Sequence, residues 1–229
     1  MIKLENTEVF GWEAAIRGMR NPKNSWDKSD SRWGLAEGEV DYDGKLAYYI
    51  GENDLTLMKS LSKAGNDHAK FLRMINVTVD ITAPLYWWKE FDTYKVGTVA
   101  NSCSTMHKIH AKEFTLDDFS CEYLVPENLK LLEQVIENLN AARNEFINYD
   151  SSHFRIVNDS QIVDRKVIWE QMIQLLPSSY SQKRTVQLNY QVLKSMYFAR
   201  KNHKLDEWHT LCDWMLTLPC FEEICVEVE

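Results

Sequence analysis

Three groups of residues in this sequence have types and spacings that could do chemistry. Cys103, His107 and His110 lie four and three residues apart, so on a helix they would share a face and could grip zinc. Structural zinc usually takes four ligands, often paired cysteines, and the other reading is a thiol and two imidazoles near a helix surface. Cys220 and Cys225 carry no stronger metal signal. From Tyr86 to Thr105 the chain crowds Lys89, Glu90, Asp92, Thr93, Tyr94 and Lys95 beside Trp87 and Trp88. It then runs through Gly97-Thr98 into Asn101-Ser102-Cys103-Ser104-Thr105. Small polar residues let a ligand approach the backbone and offer hydroxyl and amide donors to phosphate or heterocycle oxygens. An aromatic core patch with a polar exit loop would have the same composition. The third group runs from Asn189 to Trp208, where Lys194, Arg200 and Lys201 form a positive focus in an acidic chain. Arg200 could donate a fork of hydrogen bonds to an anion or a pyrimidine carbonyl. The alternative is a solvated helix end, with Arg200 and Lys201 set favourably against the dipole. The chain has no Gly-rich phosphate loop, Gly-x-Ser-x-Gly elbow or His-Glu-x-x-His motif.

The elements that must position these residues show in the periodicity. Glu8 to Arg17 reads as a strand or a short helix, and Asn21 to Gly44, rich in Asn, Asp, Ser and Gly, as loop. Asn53 or Asp54 should cap a helix with Leu55, Met58 and Leu61 on one face and Gly65 just past its end. Ile75, Val77, Val79 and Ile81 alternate with polar residues as in a half-buried strand, and the run continues through Pro84 and Trp88 towards Glu90. Helical stripes follow. One holds Leu129, Leu132, Ile136, Leu139 and Phe146; a shorter one holds Val167, Met172, Ile173 and Leu176 and must stop at Pro177. Leu188, Val192, Met196 and Ala199 form another stripe, and Leu205, Trp208, Leu211, Cys212 and Met215 the last, ending before Pro219. Strands and loop first, then helices, predict an α+β class in a single domain over residues 1–229.

Composition bounds the function. The chain has 229 residues, of which 45% are apolar and 26% charged, enough to bury a substantial core. Its net charge of −8 argues against non-specific nucleic-acid binding, though it leaves room for a local basic pocket. No apolar run reaches the length of a membrane-spanning helix, and Glu5 interrupts the place of a signal peptide, so a cytoplasmic protein is expected. Five cysteines without paired spacing suggest free thiols in a reduced compartment.

From Gly65 to Leu218, about two thirds of the chain, the motifs resemble the flavin-dependent thymidylate synthases, the ThyX family. Val77 to Pro84 is similar to the strand that leads into that family's flavin signature. Counting on without gaps, Glu90-Phe91 fall on its Gln-Trp, Thr93-Tyr94-Lys95 on Arg-His-Arg and Thr98 on the serine. Ala100-Asn101 then fall on Asn-Glu, Cys103 on a second serine and Thr105 on a nucleotide-binding arginine. His68, before Phe71, resembles the flavin-facing histidine. The second block is Leu176-Pro177, then Asn189 thirteen residues after Leu176, then Arg200 eleven further on, in the family's spacing. Where the family has Asn-x-Arg-Ser-Leu this chain reads Asn189-Tyr190-Gln191-Val192-Leu193. Glu207-Trp208 resembles the family's Gln-Trp, and Ile173 stands where an arginine binds nucleotide phosphate.

The resemblance implies a ThyX-like fold, an antiparallel sheet core with flanking helices and a helical C-terminal half. It implies a homotetramer that methylates dUMP to dTMP with FAD, methylene-tetrahydrofolate and NADPH. Arg200 would be the catalytic residue, polarising the pyrimidine without a protein nucleophile. Glu90, Cys103, Ser104, Thr105 and Arg200 would bind substrate. His68, Thr93, Tyr94, Lys95, Thr98, Asn101, Asn189, Ser195 and His203 would lie against the flavin. The departures at Thr93, Tyr94, Thr105 and Ile173 leave two other readings: a same-fold enzyme for another pyrimidine nucleotide, or a catalytically inactive nucleotide- or flavin-binding oligomer.

Overall fold

The computed structural model describes residues 2–35, 46–150, 155–157 and 161–228. In chain order the elements are β1 (Lys3–Phe10), α1 (Trp12–Arg20), β2 (Arg32–Leu35), β3 (Leu46–Tyr49), α2 (Glu52–Lys63), β4 (Asn76–Pro84), α3 (Leu85–Phe91) and β5 (Val99–Ser102). Then come α4 (Pro126–Ile147), β6 (Arg155–Val157), β7 (Gln161–Val163), α5 (Arg165–Leu175), β8 (Ser181–Asn189), α6 (Tyr190–Arg200) and α7 (Asp206–Leu216). The class is α+β, as the sequence predicts, with an antiparallel sheet and flanking helices. The main sheet has the order β1-β4-β8-β5, and β2–β3 and β6–β7 form two-stranded antiparallel sheets. Two compact units divide the chain, and all four main strands contribute residues to both.

One unit comprises Met1–Lys3, Ile81–Thr93 and Asn101–Arg184. Its core clusters Leu132, Ile136 and Leu139 of α4 with Ile109, Phe114, Phe119 and Met172. Pro126 opens α4 where its missing N–H costs nothing. The Asp164 carboxylate accepts the Val167 amide at 2.9 Å to cap α5, which ends before Pro177. The run after Pro84 is helix, not a continued strand. Pro84 cannot extend the ladder, and the first amides of α3 find other acceptors: Leu85 donates to the Tyr180 carbonyl (2.9 Å) and Tyr86 to that of Ser178 (3.0 Å). As a helix, the segment buries Trp87, Trp88 and Phe91 together, with ring centroids 5.0–5.1 Å apart.

The other unit comprises Leu4–Asp80, Tyr94–Ala100 and Thr185–Glu229. The opening segment is both expected elements in succession, β1 then α1, with Gly11 between them at φ 94°. A Cβ there would lie 2.1 Å from the Met74 carbonyl oxygen, so only glycine fits. Trp12, Tyr190 and Phe221 pack edge to face through the core, and the Tyr190 hydroxyl donates to the Pro219 carbonyl at 2.7 Å. Beneath α1 lies a buried ion pair, Arg20 Nε to Asp54 Oδ1 at 2.6 Å. The guanidinium also donates to the Ser25 and Lys28 carbonyls, while Asp54 Oδ2 accepts from the hydroxyls and amides of the Ser29–Ser31 turn.

Several local expectations need correcting. Arg32–Leu35, expected as loop, is β2, paired with β3 so that Trp33 meets Tyr48; residues 36–44 lie outside the described set. Neither Asn53 nor Asp54 caps α2. The cap is Gly51, and Asp30 accepts the Asn53 and Asp54 amides from outside the helix, while Gly65 does lie just beyond its end at φ 103°. Ser181–Asn189 is strand β8, so Leu188 belongs to the sheet. The buried face of α6 is Tyr190, Leu193 and Met196, with Ala199 exposed.

Candidate functional site

Arg200 ends α6, where its charge complements the helix dipole. Its Nε donates to the Tyr94 hydroxyl at 2.9 Å, and its guanidinium carbon lies 4.6 Å from the Trp208 ring centroid and 5.6 Å from that of Tyr94. The two rings are 6.1 Å apart at 63°. The Tyr94 bond thus orients the guanidinium while an indole face covers it, and each cation–π contact is worth about 0.5–2 kcal/mol. His203 joins the cluster 6.1 Å from Trp208. Its Nδ1 accepts the Leu205 amide at 3.2 Å. Trp208 is here because α7 starts after Leu205 and buries Trp208, Leu211, Cys212 and Met215.

The segment after Tyr94 turns at Gly97, φ 79°, close to the start of α6. A Cβ on Gly97 would lie 3.1 Å from Asn189 Nδ2 and from a Val192 methyl. Asn189 caps α6, its Oδ1 accepting the Val192 amide at 3.1 Å. Beside this turn the Thr98 hydroxyl oxygen is buried with no hydrogen-bond partner among the described residues. Tyr94, Thr98, Asn189, Arg200 and His203, all expected from the sequence, thus belong to one unit. So do Lys95, His68 and Ser195, which are exposed. His68 sits in the turn after α2, and the Ser195 hydroxyl donates to the Gln191 carbonyl of its own helix.

The other expected residues lie in the first-described unit. Cys103, Ser104 and Thr105 line a cavity of about 610 Å³ together with Lys3, Thr82, Lys108, Lys112 and the Tyr180–Lys183 stretch. Its wall is held by Gln182, which donates Nε2 to the Cys103 carbonyl (2.7 Å) and accepts Arg184 Nε at Oε1 (3.0 Å). Arg184 also pairs with Asp92 at 2.7 Å and stacks 4.1 Å from the Trp88 ring. Thr93 donates its hydroxyl to the Glu90 carbonyl at 2.7 Å, closing α3, and Asn101 is exposed on β5. Ile173 packs against the apolar cluster of α4. The segment carrying Cys103, His107 and His110 is turn rather than helix, so the three do not share a helix face, and the His107 amide donates to the Ser104 hydroxyl. Gln182, Arg184, Lys108 and Lys112 were missed. The signal for the first two was the alternation of Gln182, Val186 and Leu188, which are buried along β8.

No protein-family model and no curated protein matches this sequence. Among solved structures, it is similar to the flavin-dependent thymidylate synthase ThyX of Helicobacter pylori complexed with FAD and dUMP. The TM-score is 0.62 at 16% identity, covering 98% of each chain. Another structure of Helicobacter pylori ThyX with FAD and dUMP gives 0.62 at 15%, over 100% of this chain and 99% of that one. PolB, a UMP/dUMP methylase from Streptomyces cacaoi bound with 5-Br dUMP, gives 0.54 at 12%, over 95% and 88%. In a divergent sequence, this chain has the fold of the flavin-dependent thymidylate synthases.

Proposed function

We propose that this chain is a flavin-dependent methylase of a pyrimidine deoxynucleotide, converting dUMP to dTMP with methylene-tetrahydrofolate as one-carbon donor and NADPH as reductant. The observation that carries the reading is Arg200, pinned by Tyr94 and covered by Trp208. A guanidinium held this way needs no reorganisation as charge develops on a pyrimidine carbonyl.

The residues present fit a flavin. Thr98 offers a buried hydroxyl with no partner among the described residues. Thr98, Asn189, Lys95 and His203 would hold the group, with Asn101, His68, Ser195 and Thr93 as further contacts. When bound in reduced form, it supplies the hydride that takes a transferred methylene to a methyl group, leaving tetrahydrofolate and oxidised flavin. The protein's part is to orient and polarise the base through Arg200. Glu90, Cys103, Ser104 and Thr105 would contact the nucleotide, and a homotetramer in the cytoplasm would be the working form.

The purified protein should be yellow, with flavin absorption in the visible, and should release dTMP from dUMP when given the folate and NADPH. Arg200→Ala should remove turnover while keeping the fold by circular dichroism. A colourless protein that binds neither added FAD nor dUMP overturns the proposal. A second reading, another pyrimidine nucleotide as substrate, is favoured by Ile173 lying in an apolar cluster, where no phosphate can be held. Greater thermal stabilisation by a different pyrimidine nucleotide than by dUMP would select it.

A further inference from the structure

A second cleft, of about 390 Å³, lies where the end of α4 meets the start of α5. That volume is within the range of small-molecule sites. Its lining is His110, Phe146, Arg165, Lys166 and Trp169, all in the unit that holds α4 and α5. Hydrogen bonds fix two of the walls. The Trp169 indole donates to the Met106 carbonyl at 2.8 Å, and Arg143 Nε donates to the His110 carbonyl at 3.0 Å. The imidazole of His110 lies 4.6 Å from the Phe146 ring, tilted at 44°. Its Nδ1 is buried with no hydrogen-bond partner among the described residues. A buried polar atom left unpaired in a native fold calls for an explanation, and a ligand's donor supplies one.

The charges of the cleft favour one sign. Lys166 already faces Glu170 at 3.7 Å, and the neighbouring Asp164 carboxylate is committed to the Val167 amide. The Arg165 guanidinium carbon lies 4.5 Å from the Phe146 ring centroid, and Arg165 makes no ion pair among the described residues. Stacking uses the flat face of a guanidinium and leaves the N–H groups on its edge to be satisfied. Among the lining residues the unmatched charge is therefore positive and sits on Arg165. Aromatic walls bury a planar ring best, and a guanidinium edge matches a carboxylate.

We propose that this cleft binds a small planar aromatic carboxylate, its ring against Trp169, His110 and Phe146 and its carboxylate on Arg165. None of the five residues is assigned to the nucleotide or the flavin, so the site is independent of the methylase reading.

Isothermal titration of the full chain with 2-naphthoate and its neutral counterpart 2-naphthamide tests it. Wild-type protein should bind the carboxylate at least tenfold more tightly than the amide. Arg165 and Lys166 are exposed, so their variants should keep the melting temperature of wild type. Arg165→Gln should lose tenfold or more for 2-naphthoate and nothing for 2-naphthamide. Lys166→Glu, which puts an acid in the lining, should lose at least as much for 2-naphthoate. Lys130→Glu makes the same change of charge on α4 outside the cleft and should bind as wild type. Arg165→Gln binding 2-naphthoate as tightly as wild type overturns the proposal. So does equal wild-type affinity for the two probes, binding of neither, or an equal loss in Lys130→Glu. Self-association that sedimentation detects in wild type and that Lys166→Glu abolishes would give the cleft to a second copy of the chain and overturn it too.

Discussion

Arg200 and Tyr94 form the pair on which the proposed chemistry turns. Tyr94→Phe removes one hydroxyl and leaves the ring, so the protein should keep its melting temperature while turnover falls, about tenfold for one lost orienting hydrogen bond. Arg200→Lys should fail to restore activity, because an ammonium cannot both bond Tyr94 and present a planar fork. Steady-state kinetics on the two variants checks both. Asp54 is the residue on which the most depends structurally. Burial would raise its pKa, but hydrogen bonds from Ser31, Ser29 and Arg20, with the charge of Arg20, outweigh that and hold the carboxyl below its usual value. A group whose folded pKa is depressed stabilises the fold above its unfolded pKa, about 3.9, and loses that contribution as pH falls through the folded pKa. Urea midpoints measured from pH 6 downwards should therefore fall in the acid range for wild type, with a shallower fall for Asp54→Asn. Asp54→Ala, which strands the Arg20 charge in the core, should cost about 3–5 kcal/mol at neutral pH.

The elements that carry site residues are set by short-range devices that mutation can test one at a time. Asn189→Ala removes the cap of α6 and should cost about 1 kcal/mol by urea denaturation. It should also loosen the Gly97 turn that its amide meets. Leu139 is fully buried on α4, and Leu139→Ala should destabilise by about 2–5 kcal/mol, since it leaves a cavity among Leu132, Ile136 and Met172. The strand-to-helix switch at Pro84 and the strand Ser181–Asn189 were the places where periodicity misled. In the first, an alternating run gave no warning that Trp87, Trp88 and Phe91 would bury together only as a helix. In the second, the buried positions are Gln182, Val186 and Leu188, and a polar glutamine hides the alternation. The Arg32–Leu35 strand was hidden for a related reason: its positions are mostly exposed, so no buried face marks it.

Across the whole molecule the cysteines give an independent check of which surfaces are open. Cys103 is exposed, whereas burial pushes the Cys212 thiol up to about 11 and the Cys225 thiol up to about 12. A thiol reagent at pH 8 should modify Cys103 rapidly and reach Cys212 and Cys225 only after denaturation, as peptide mass spectrometry would show. None of the helices in the described residues is long and apolar enough to cross a membrane. The sequence by itself determined the α+β class, the helices of the second half and a spacing around Arg200 that resembles the flavin-dependent thymidylate synthases. Those depend on periodicity, proline stops and residue spacing, which are local properties of the chain. It could not decide that Arg200 would find Tyr94, 106 positions away, or that Gln182 would brace Cys103, 79 positions away. Nor could it decide that lysines scattered from Lys3 to Lys183 would line one cavity. Such partnerships exist only once β4, β5 and β8 share a sheet, because pairing between distant segments is fixed by the packing of the whole fold and leaves no trace in the spacing of either segment alone.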